Sequence, residues 1–261
     1  MIIKNEEQRA KLIEAGKRLG EVLEAVAKLV APGVSTQALE DEAVRLITGG
    51  GDKPAFLDYT PEGSNRPYPA ALCVSINDEV VHGIPNEDPK ILVEGDIVSL
   101  DLGLIHEGFV VDSAITVPVG KTDPIAYSLM STTANSLEQA MKHAIVGNRI
   151  GDISHATGKA FVGTGFGVVK MLGGHGVGNH VHEEPFIAND GYPGTGPEIV
   201  EGMVLAIEPI ANEGKAGVVL GRDGYTYRTK DGSRSAHFEH TIIVTSAEPL
   251  VITRRPSEVS K

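Results

Sequence analysis

The feature that most constrains the fold is an internal duplication, in which the second half of the chain repeats motifs of the first. Residues 94–101 (EGDIVSLD) match residues 201–208 (EGMVLAIE) at an offset of 107 residues, and both segments end in a carboxylate. Residues 111–117 (VDSAITV) match residues 238–244 (FEHTIIV) at an offset of 127 residues. Repeats of this kind indicate two units that are built alike.

A third repeat supports the same arrangement. Residues 72–85 match residues 172–185 without a gap at an offset of 100 residues, which aligns His82 with His182. Neither a linker nor a low-complexity segment separates the two halves. We therefore predict a single domain rather than two independent ones.

Hydrophobic periodicity assigns secondary structure to the repeated units. Apolar residues recur at helical steps in four segments, which are about 6–30, 36–48, 124–146 and 152–162. Strand patterns occupy about 71–77, 96–105, 109–119, 203–210, 225–229 and 238–245. The predicted class is α+β, with an antiparallel sheet covered by helices. The single domain is predicted to span residues 1–261, with pseudo-symmetric halves at about 1–120 and 121–261.

Composition limits the compartment and the partners. The formal net charge of −12 disfavours binding to DNA or other nucleic acid through phosphate contacts. Cys73 is the only cysteine, which excludes an intrachain disulfide and is typical of a reducing compartment. The sequence shows neither a signal peptide nor an apolar run of membrane-spanning length. We therefore expect a cytoplasmic protein without a membrane partner.

Four carboxylates occupy repeat-equivalent positions within apolar strands. They are Asp101, Asp112, Glu208 and Glu239. Any one of them alone would be explained as part of a solvated strand face. If the two halves face each other, however, all four meet, and burying unpaired carboxylates costs several kcal/mol. No Lys or Arg lies in the adjoining strand segments, so divalent cations are the natural compensation.

The turn of the first hairpin would set the register of its two acids. A two-residue turn at His106-Glu107 would place Asp101 directly opposite Asp112. His175 is the best candidate for a further ligand. It lies in the segment 173–178 (GGHGVG), whose glycines permit close approach of the backbone.

The order and spacing of Asp101, Asp112, His175, Glu208 and Glu239 resemble the five metal ligands of the methionine aminopeptidases. Further matching segments are 75–77 (SIN), 82–85 (HGIP), 95–98 (GDIV), 182–185 (HEEP) and 207–209 (IEP). The resemblance covers nearly the whole chain and is to the short bacterial type I enzymes. It implies the pita-bread fold, whose pseudo-two-fold symmetry agrees with the duplication.

The resemblance also implies a site for two divalent metal ions. Asp101 would hold one ion, His175 and Glu208 would hold the other, and Asp112 and Glu239 would bridge them. One histidine among five ligands makes a hard site. Such a site suits Co²⁺, Mn²⁺ or Fe²⁺, with Zn²⁺ as a further candidate.

The implied reaction is removal of the initiator methionine from peptides and nascent chains when the second residue is small. A metal-bound hydroxide would attack the peptide bond, with Glu208 as the general base. His182 would polarise the scissile carbonyl, and His82 would contact the nitrogen of the scissile amide. The resemblance also implies a monomer, and transient association with the ribosome fits this substrate.

The resemblance describes the methionine pocket less closely. Tyr68 and Cys73 match pocket residues of the family, although Cys73 is equally consistent with an ordinary buried small residue. Tyr225 stands where many relatives have Trp, and we expect it to contact substrate as well. The Pro- and Gly-rich loop at 52–67 is longer than the short bacterial type leads us to expect.

Two other functions remain open from the sequence. An X-Pro aminopeptidase or prolidase would share the same fold and the same five ligands. A non-catalytic binding protein on this fold belongs to a different class, and it would be expected to lose ligands that this chain retains.

Overall fold

The computed structural model describes residues 1–61, 63–64 and 66–259. Two residues of the 52–67 loop, 62 and 65, lie outside the described residues. The helices are α1 (Glu6–Ala27), α2 (Thr36–Gly49), α3 (Pro124–Met141), α4 (Ile150–Lys159) and α5 (Pro256–Val259). The strands are β1 (Lys53–Pro54), β2 (Leu72–Ile76), β3 (Glu79–Val81), β4 (Ile97–His106), β5 (Phe109–Pro118), β6 (Gly167–Val168), β7 (Gly173–Gly176), β8 (Glu183–Ala188), β9 (Val204–Ile207), β10 (Ile210–Asn212), β11 (Val218–Leu220), β12 (Tyr227–Thr229), β13 (Ser235–His237), β14 (His240–Ile243) and β15 (Leu250–Val251).

Two antiparallel sheets form the centres of the two halves. The first has the order β1-β4-β2 with β5 also paired to β4, and the second has the order β15-β14-β9-β7-β8. Ser75 pairs with Ser99 in the first sheet, and His175 pairs with Ala206 in the second. These two pairs are related by the sequence offsets of 100 and 107 residues. The predicted α+β class and the internal duplication are therefore confirmed.

Helices cover the outer face of each sheet. Helix α1 packs on β4 and β5, and it buries apolar residues at helical spacing, including Leu12, Leu19 and Leu23. Helices α3 and α4 pack on each other in the second half, through residues such as Leu129 and Ile153. Each such side chain stabilises the fold by about 2 kcal/mol relative to an exposed one. In the described part of the chain, no helix has both the length and the apolarity needed to cross a membrane.

The helix ends agree with the predicted positions at the start of α2 and differ at several other ends. Ser35 caps α2, because the Ser35 hydroxyl accepts a hydrogen bond from the N–H of Ala38 at 3.1 Å. The Thr36 hydroxyl instead donates to the carbonyl of Pro85 at 2.7 Å. Helix α1 ends at Ala27 rather than at about residue 30, and α3 ends at Met141 rather than at about residue 146. Helix α4 spans Ile150–Lys159 rather than about 152–162.

The predicted register of the first hairpin is wrong by two residues. Asp101 lies opposite Ala114 rather than Asp112. The turn consists of Glu107-Gly108, with φ values of 46° and 86°, rather than His106-Glu107. A tight hairpin turn of this kind requires positive φ at both central residues, and glycine adopts it without steric cost. Since side chains alternate along a strand, a shift of two residues leaves both acids on one face.

The predicted strand at 203–210 is two strands, β9 and β10. They are separated at Pro209, which has no N–H to donate to a neighbouring strand. Glu208 therefore lies at the break, directly after the last residue of β9. This position frees its side chain from the regular alternation of the sheet.

Glu40 anchors the start of β2, and its loss should destabilise the fold. Its carboxylate, only 4% exposed, accepts hydrogen bonds from the N–H groups of Ala71 and Leu72, both at 2.8 Å. We expect Glu40→Ala to lower the free energy of unfolding by about 2–4 kcal/mol, because two buried donors lose their acceptor. Denaturant unfolding measures this. Asp41→Ala, on the exposed side of the same helix, is the control and should change the free energy by about 0.5 kcal/mol or less. Equal effects of the two substitutions would contradict the prediction.

Candidate active site

The site lies where the central hairpins of the two halves meet. Ala114 of β5 and Glu239, which precedes β14, exchange backbone hydrogen bonds of 2.9 and 3.3 Å. The Thr241 hydroxyl donates to the carbonyl of Asp112 at 2.7 Å and accepts from its N–H at 3.0 Å. These bonds hold the acid-bearing strands of both halves side by side.

One cavity gathers every residue that the sequence predicts for the metal site. It is lined by Asp101, Asp112, His175, Glu208 and Glu239. The Nε2 atom of His175 lies 3.7 Å from Glu208 Oε1 and 4.0 Å from Glu239 Oε1. Ligand atoms of Asp112, His175 and Glu239 all lie within 4.8 Å of one another, which is close enough to share one cation.

The donor atoms of this cluster fit divalent cations. Three buried carboxylate oxygens, Asp101 Oδ1, Asp112 Oδ1 and Glu239 Oε1, have no hydrogen-bond partner among the described residues. Buried polar atoms are normally satisfied, so these oxygens point to a partner of positive charge. The Nδ1 atom of His175 lies 2.9 Å from the carbonyl of Gly176, which leaves Nε2 as the ligand atom.

The electrostatics of the cluster agree with this interpretation. Burial, followed by the charges of neighbouring carboxylates, raises the pKa of Asp101 and of Glu239 well above their ordinary values. Burial also raises the pKa of Asp112 to about 6. The four acids therefore resist being ionised together unless cations compensate their charge.

Asp112 should make the metal-free protein less stable as pH rises. Its folded pKa of about 6 exceeds the unfolded value of about 3.9, so the folded state holds the proton more tightly between these values. The contribution of Asp112 to the free energy of unfolding is therefore full at low pH and is lost as pH rises through about 6. We expect chelator-treated Asp112→Asn to melt several degrees above the chelator-treated parent protein at pH 7, with a smaller gap at pH 5. A difference in melting temperature between variant and parent that narrows with rising pH would contradict the raised pKa of Asp112.

The two histidines of the repeated H-x-x-P segments line the same cavity. His82 follows β3 with a φ of 59°, an uncommon conformation for a residue other than glycine that occurs at functional sites. The ring of His182 lies 4.6 Å from that of His175, centroid to centroid. Burial lowers the pKa of each of His82 and His182 to about 4, so both imidazoles are neutral at pH 7.

Aromatic side chains form part of the wall of the cavity. The sequence predicts Tyr68, Cys73 and Tyr225 there, and all three line the cavity. The Tyr68 hydroxyl donates to the carbonyl of Gly83 at 2.9 Å, and its ring meets that of Tyr225 edge-on at 5.2 Å. Cys73 pairs with Asp101 across strands β2 and β4, which places its thiol beside the acids.

The sequence did not reveal several residues of the site. Phe56, Tyr59 and Pro61 line the cavity from the 52–67 loop, whose conformation has no periodic signal in the sequence. His237 is 2% exposed, and its Nε2 lies 3.3 Å from Glu208 Oε2. A signal for His237 was present, because it precedes Glu239 by two residues and such residues share a face of an extended chain.

Glu208 differs from the other acids because of His237. Burial alone would raise its pKa, but the close contact and charge of His237, with smaller contributions from His175 and His182, outweigh burial and lower the pKa. Glu208 is therefore the carboxylate of the cluster that most readily stays ionised.

A helix-covered pair of antiparallel sheets with a buried acid cluster between them defines a metallopeptidase. The model of metallopeptidase family M24 matches residues 10–246, and the chain belongs to this family. Within the family, its similarity is to methionine aminopeptidases. It is 46% identical over 245 residues to the methionine aminopeptidase of Aquifex aeolicus, covering 93% of this chain and 95% of that protein.

Solved structures agree with the family assignment. The methionine aminopeptidase of Thermotoga maritima superposes with a TM-score of 0.92 at 41% identity, covering 98% of this chain and all of that chain. The predicted pita-bread fold is thereby confirmed. The prolidase of Pyrococcus horikoshii superposes with a TM-score of 0.76 at 20% identity, covering 97% of this chain and 64% of that one. That likeness shows the shared fold alone, so the prolidase alternative is not favoured.

Proposed function

We propose that this protein removes the N-terminal methionine from peptides and new polypeptide chains whose second residue is small. The observation that carries the proposal is the meeting of four carboxylates, three of them buried, and one imidazole in a pocket with aromatic walls. The 46% identity to a methionine aminopeptidase supports the same substrate.

Two divalent cations would be held by the five residues that the sequence singles out. These residues are Asp101, Asp112, His175, Glu208 and Glu239. The oxygen-rich donor set favours Mn²⁺, Fe²⁺ or Co²⁺ over Zn²⁺. When bound, the ions supply Lewis acidity and lower the pKa of the attacking water.

Three side chains of the site would supply the proton transfer and the hydrogen bonds that the reaction needs. Glu208, kept ionised beside His237, accepts the proton of the attacking water. His182 donates a hydrogen bond to the scissile carbonyl oxygen as negative charge develops on it. His82 contacts the nitrogen of the scissile amide and assists its departure as an amine. The peptide bond is thus cleaved to free methionine and a chain shortened by one residue.

The pocket suits an unbranched thioether side chain. Its walls combine the rings of Phe56, Tyr59, Tyr68 and Tyr225 with the thiol of Cys73. Contacts between sulfur and aromatic rings are favourable by about 0.3–1.5 kcal/mol each. These residues would bind the methionine side chain and orient its carbonyl toward the acids.

The setting of the reaction follows from its substrate. We propose that the protein acts as a monomer with one catalytic domain in the cytoplasm, where new chains emerge from the ribosome. The net charge of −12 disfavours a lasting contact with ribosomal RNA, so association with the ribosome would be transient.

Peptide cleavage by the chelator-stripped protein tests the proposal. Met-Gly, Met-Lys and Ala-Pro peptides are incubated with and without added Mn²⁺ or Co²⁺. Metal-dependent release of methionine from the Met-Gly peptide alone is the expected result. Cleavage of Ala-Pro instead would assign the protein to the proline-specific enzymes, and no cleavage with any metal would leave a binding function.

A further inference from the structure

The 52–67 loop of the first half reaches across the site to His182 of the second half. The hydroxyl of Tyr59 lies 2.9 Å from Nδ1 of His182, and the two rings are 5.5 Å apart. In the described part of the chain, this is the only side-chain hydrogen bond of either group. The polar contact of the Tyr59 hydroxyl is therefore to a residue proposed above to act on the scissile bond.

The position of Tyr59 is fixed by the backbone rather than left to a free loop. Its N–H donates to the carbonyl of Phe56 at 2.9 Å, and its carbonyl accepts from the N–H of Tyr68 at 2.8 Å. The N–H of Asp58 donates to the carbonyl of Tyr68 at 3.0 Å. Since Tyr68 is itself buried against the core, these bonds hold the Tyr59 ring at the cavity wall.

We propose that Tyr59 is a positioning residue that sets the tautomer of His182, so that the Nε2 atom of His182 carries the proton. A neutral imidazole has one N–H, and the nitrogen that accepts a hydrogen bond leaves the proton on the other. A phenol is a stronger donor than acceptor, and burial raises the pKa of Tyr59, so its hydroxyl keeps its proton. Tyr59 thus donates to Nδ1, and Nε2–H is free to donate.

The proposal rests on the role proposed above for His182. A hydrogen bond to the developing oxyanion requires a donor, and the Nδ1-protonated tautomer would present a lone pair to it instead. Tyr59 also holds the imidazole ring of His182 in one orientation. Hydrogen-bond partners behind an active-site group commonly have this effect. The hydroxyl would therefore act on turnover through His182, whereas its ring contributes to the pocket wall.

Tyr59→Phe removes the hydroxyl and keeps the ring. On a Met-Gly peptide we expect kcat to fall about tenfold or more with KM changed less than twofold. In a His182→Ala background the same substitution should have no further effect on kcat, because the hydroxyl has lost its partner. Tyr192→Phe, an exposed tyrosine outside the cavity, is the matched control and should leave both constants unchanged.

Nitrogen-15 NMR of the histidine rings tests the tautomer in the metal-free protein, independently of activity. The His182 signals are assigned by their loss in His182→Ala. In the parent protein we expect a proton on Nε2 and a hydrogen-bonded Nδ1, and in Tyr59→Phe we expect the Nδ1 signal to shift to that of an unbonded nitrogen. A proton on Nδ1 in the parent protein, or equal kcat losses from Tyr59→Phe in both backgrounds, would overturn the proposal. If no peptide is cleaved, the proposed function fails, and the NMR result still decides the tautomer.

Discussion

Asp112→Ala is expected to lower kcat/KM for a Met-Gly peptide by at least about 1,000-fold and to lower the bound metal at the same time. Asp112 is buried beside His175 and Glu239, and its Oδ1 has no partner among the described residues. Bound cations contribute several kcal/mol to the transition state, and about 4 kcal/mol corresponds to 1,000-fold. Loss of a bridging ligand should therefore remove metal and activity together.

Metal content and activity are measured on the same preparations. The backbone of Asp112 keeps both hydrogen bonds to Thr241 in the variant, so the hairpin contact between the halves is retained. Glu201→Ala, at an exposed position outside the cavity, is the control and should retain full metal content. Full activity of Asp112→Ala would show that the acid cluster is assigned wrongly.

The acid cluster illustrates how a sequence can predict which residues converge in a fold. Asp101, Asp112, Glu208 and Glu239 recur at repeat-equivalent positions, so each supports the others and the duplication predicts their convergence. His175 lies in a glycine-rich segment whose backbone packs closely against the neighbouring strands, because a Cβ atom at Gly174 would lie 2.3 Å from the carbonyl oxygen of Ala206. Patterns repeated within one chain are thus informative even where any single residue is not.

The register and the strand break show what such patterns leave out. Local turn chemistry at Gly108 shifted the hairpin by two residues, and the missing N–H of Pro209 divided a strand that hydrophobicity alone would continue. Both effects are readable from single residues. They were missed because alternation of apolar residues does not record backbone conformation.

The part of the aromatic wall that comes from the 52–67 loop could not be predicted for a different reason. Phe56 and Tyr59 lie in a segment without periodicity, and the carbonyl of Tyr59 is held by a hydrogen bond from the N–H of Tyr68. His237 acts through Glu208, and the two are brought together by the pairing of β13 with β10 across about thirty residues of the second half. Residues that support a site from a distance are therefore the ones that sequence patterns describe least.

The site also lowers the stability of the metal-free fold. Three raised carboxylate pKa values, of Asp101, Asp112 and Glu239, mean that the folded protein resists the charge that the site needs. A protein selected only for stability would replace these acids. Cation binding explains why these acids are present where the two sheets meet, because bound cations offset the repulsion between the carboxylates.

His82→Asn should separate catalysis from metal binding. His82 lies outside the five-residue acid cluster, so we expect metal content to remain unchanged while kcat falls by about 10²–10⁴-fold, the range for loss of a group that assists proton transfer. Asparagine is the appropriate replacement because His82 has a φ of 59°, and asparagine tolerates this conformation where alanine would add strain. The same substitution at the exposed His143 serves as the control and should alter neither quantity. Loss of metal in His82→Asn would place this histidine among the ligands, and an unchanged kcat would remove it from the reaction.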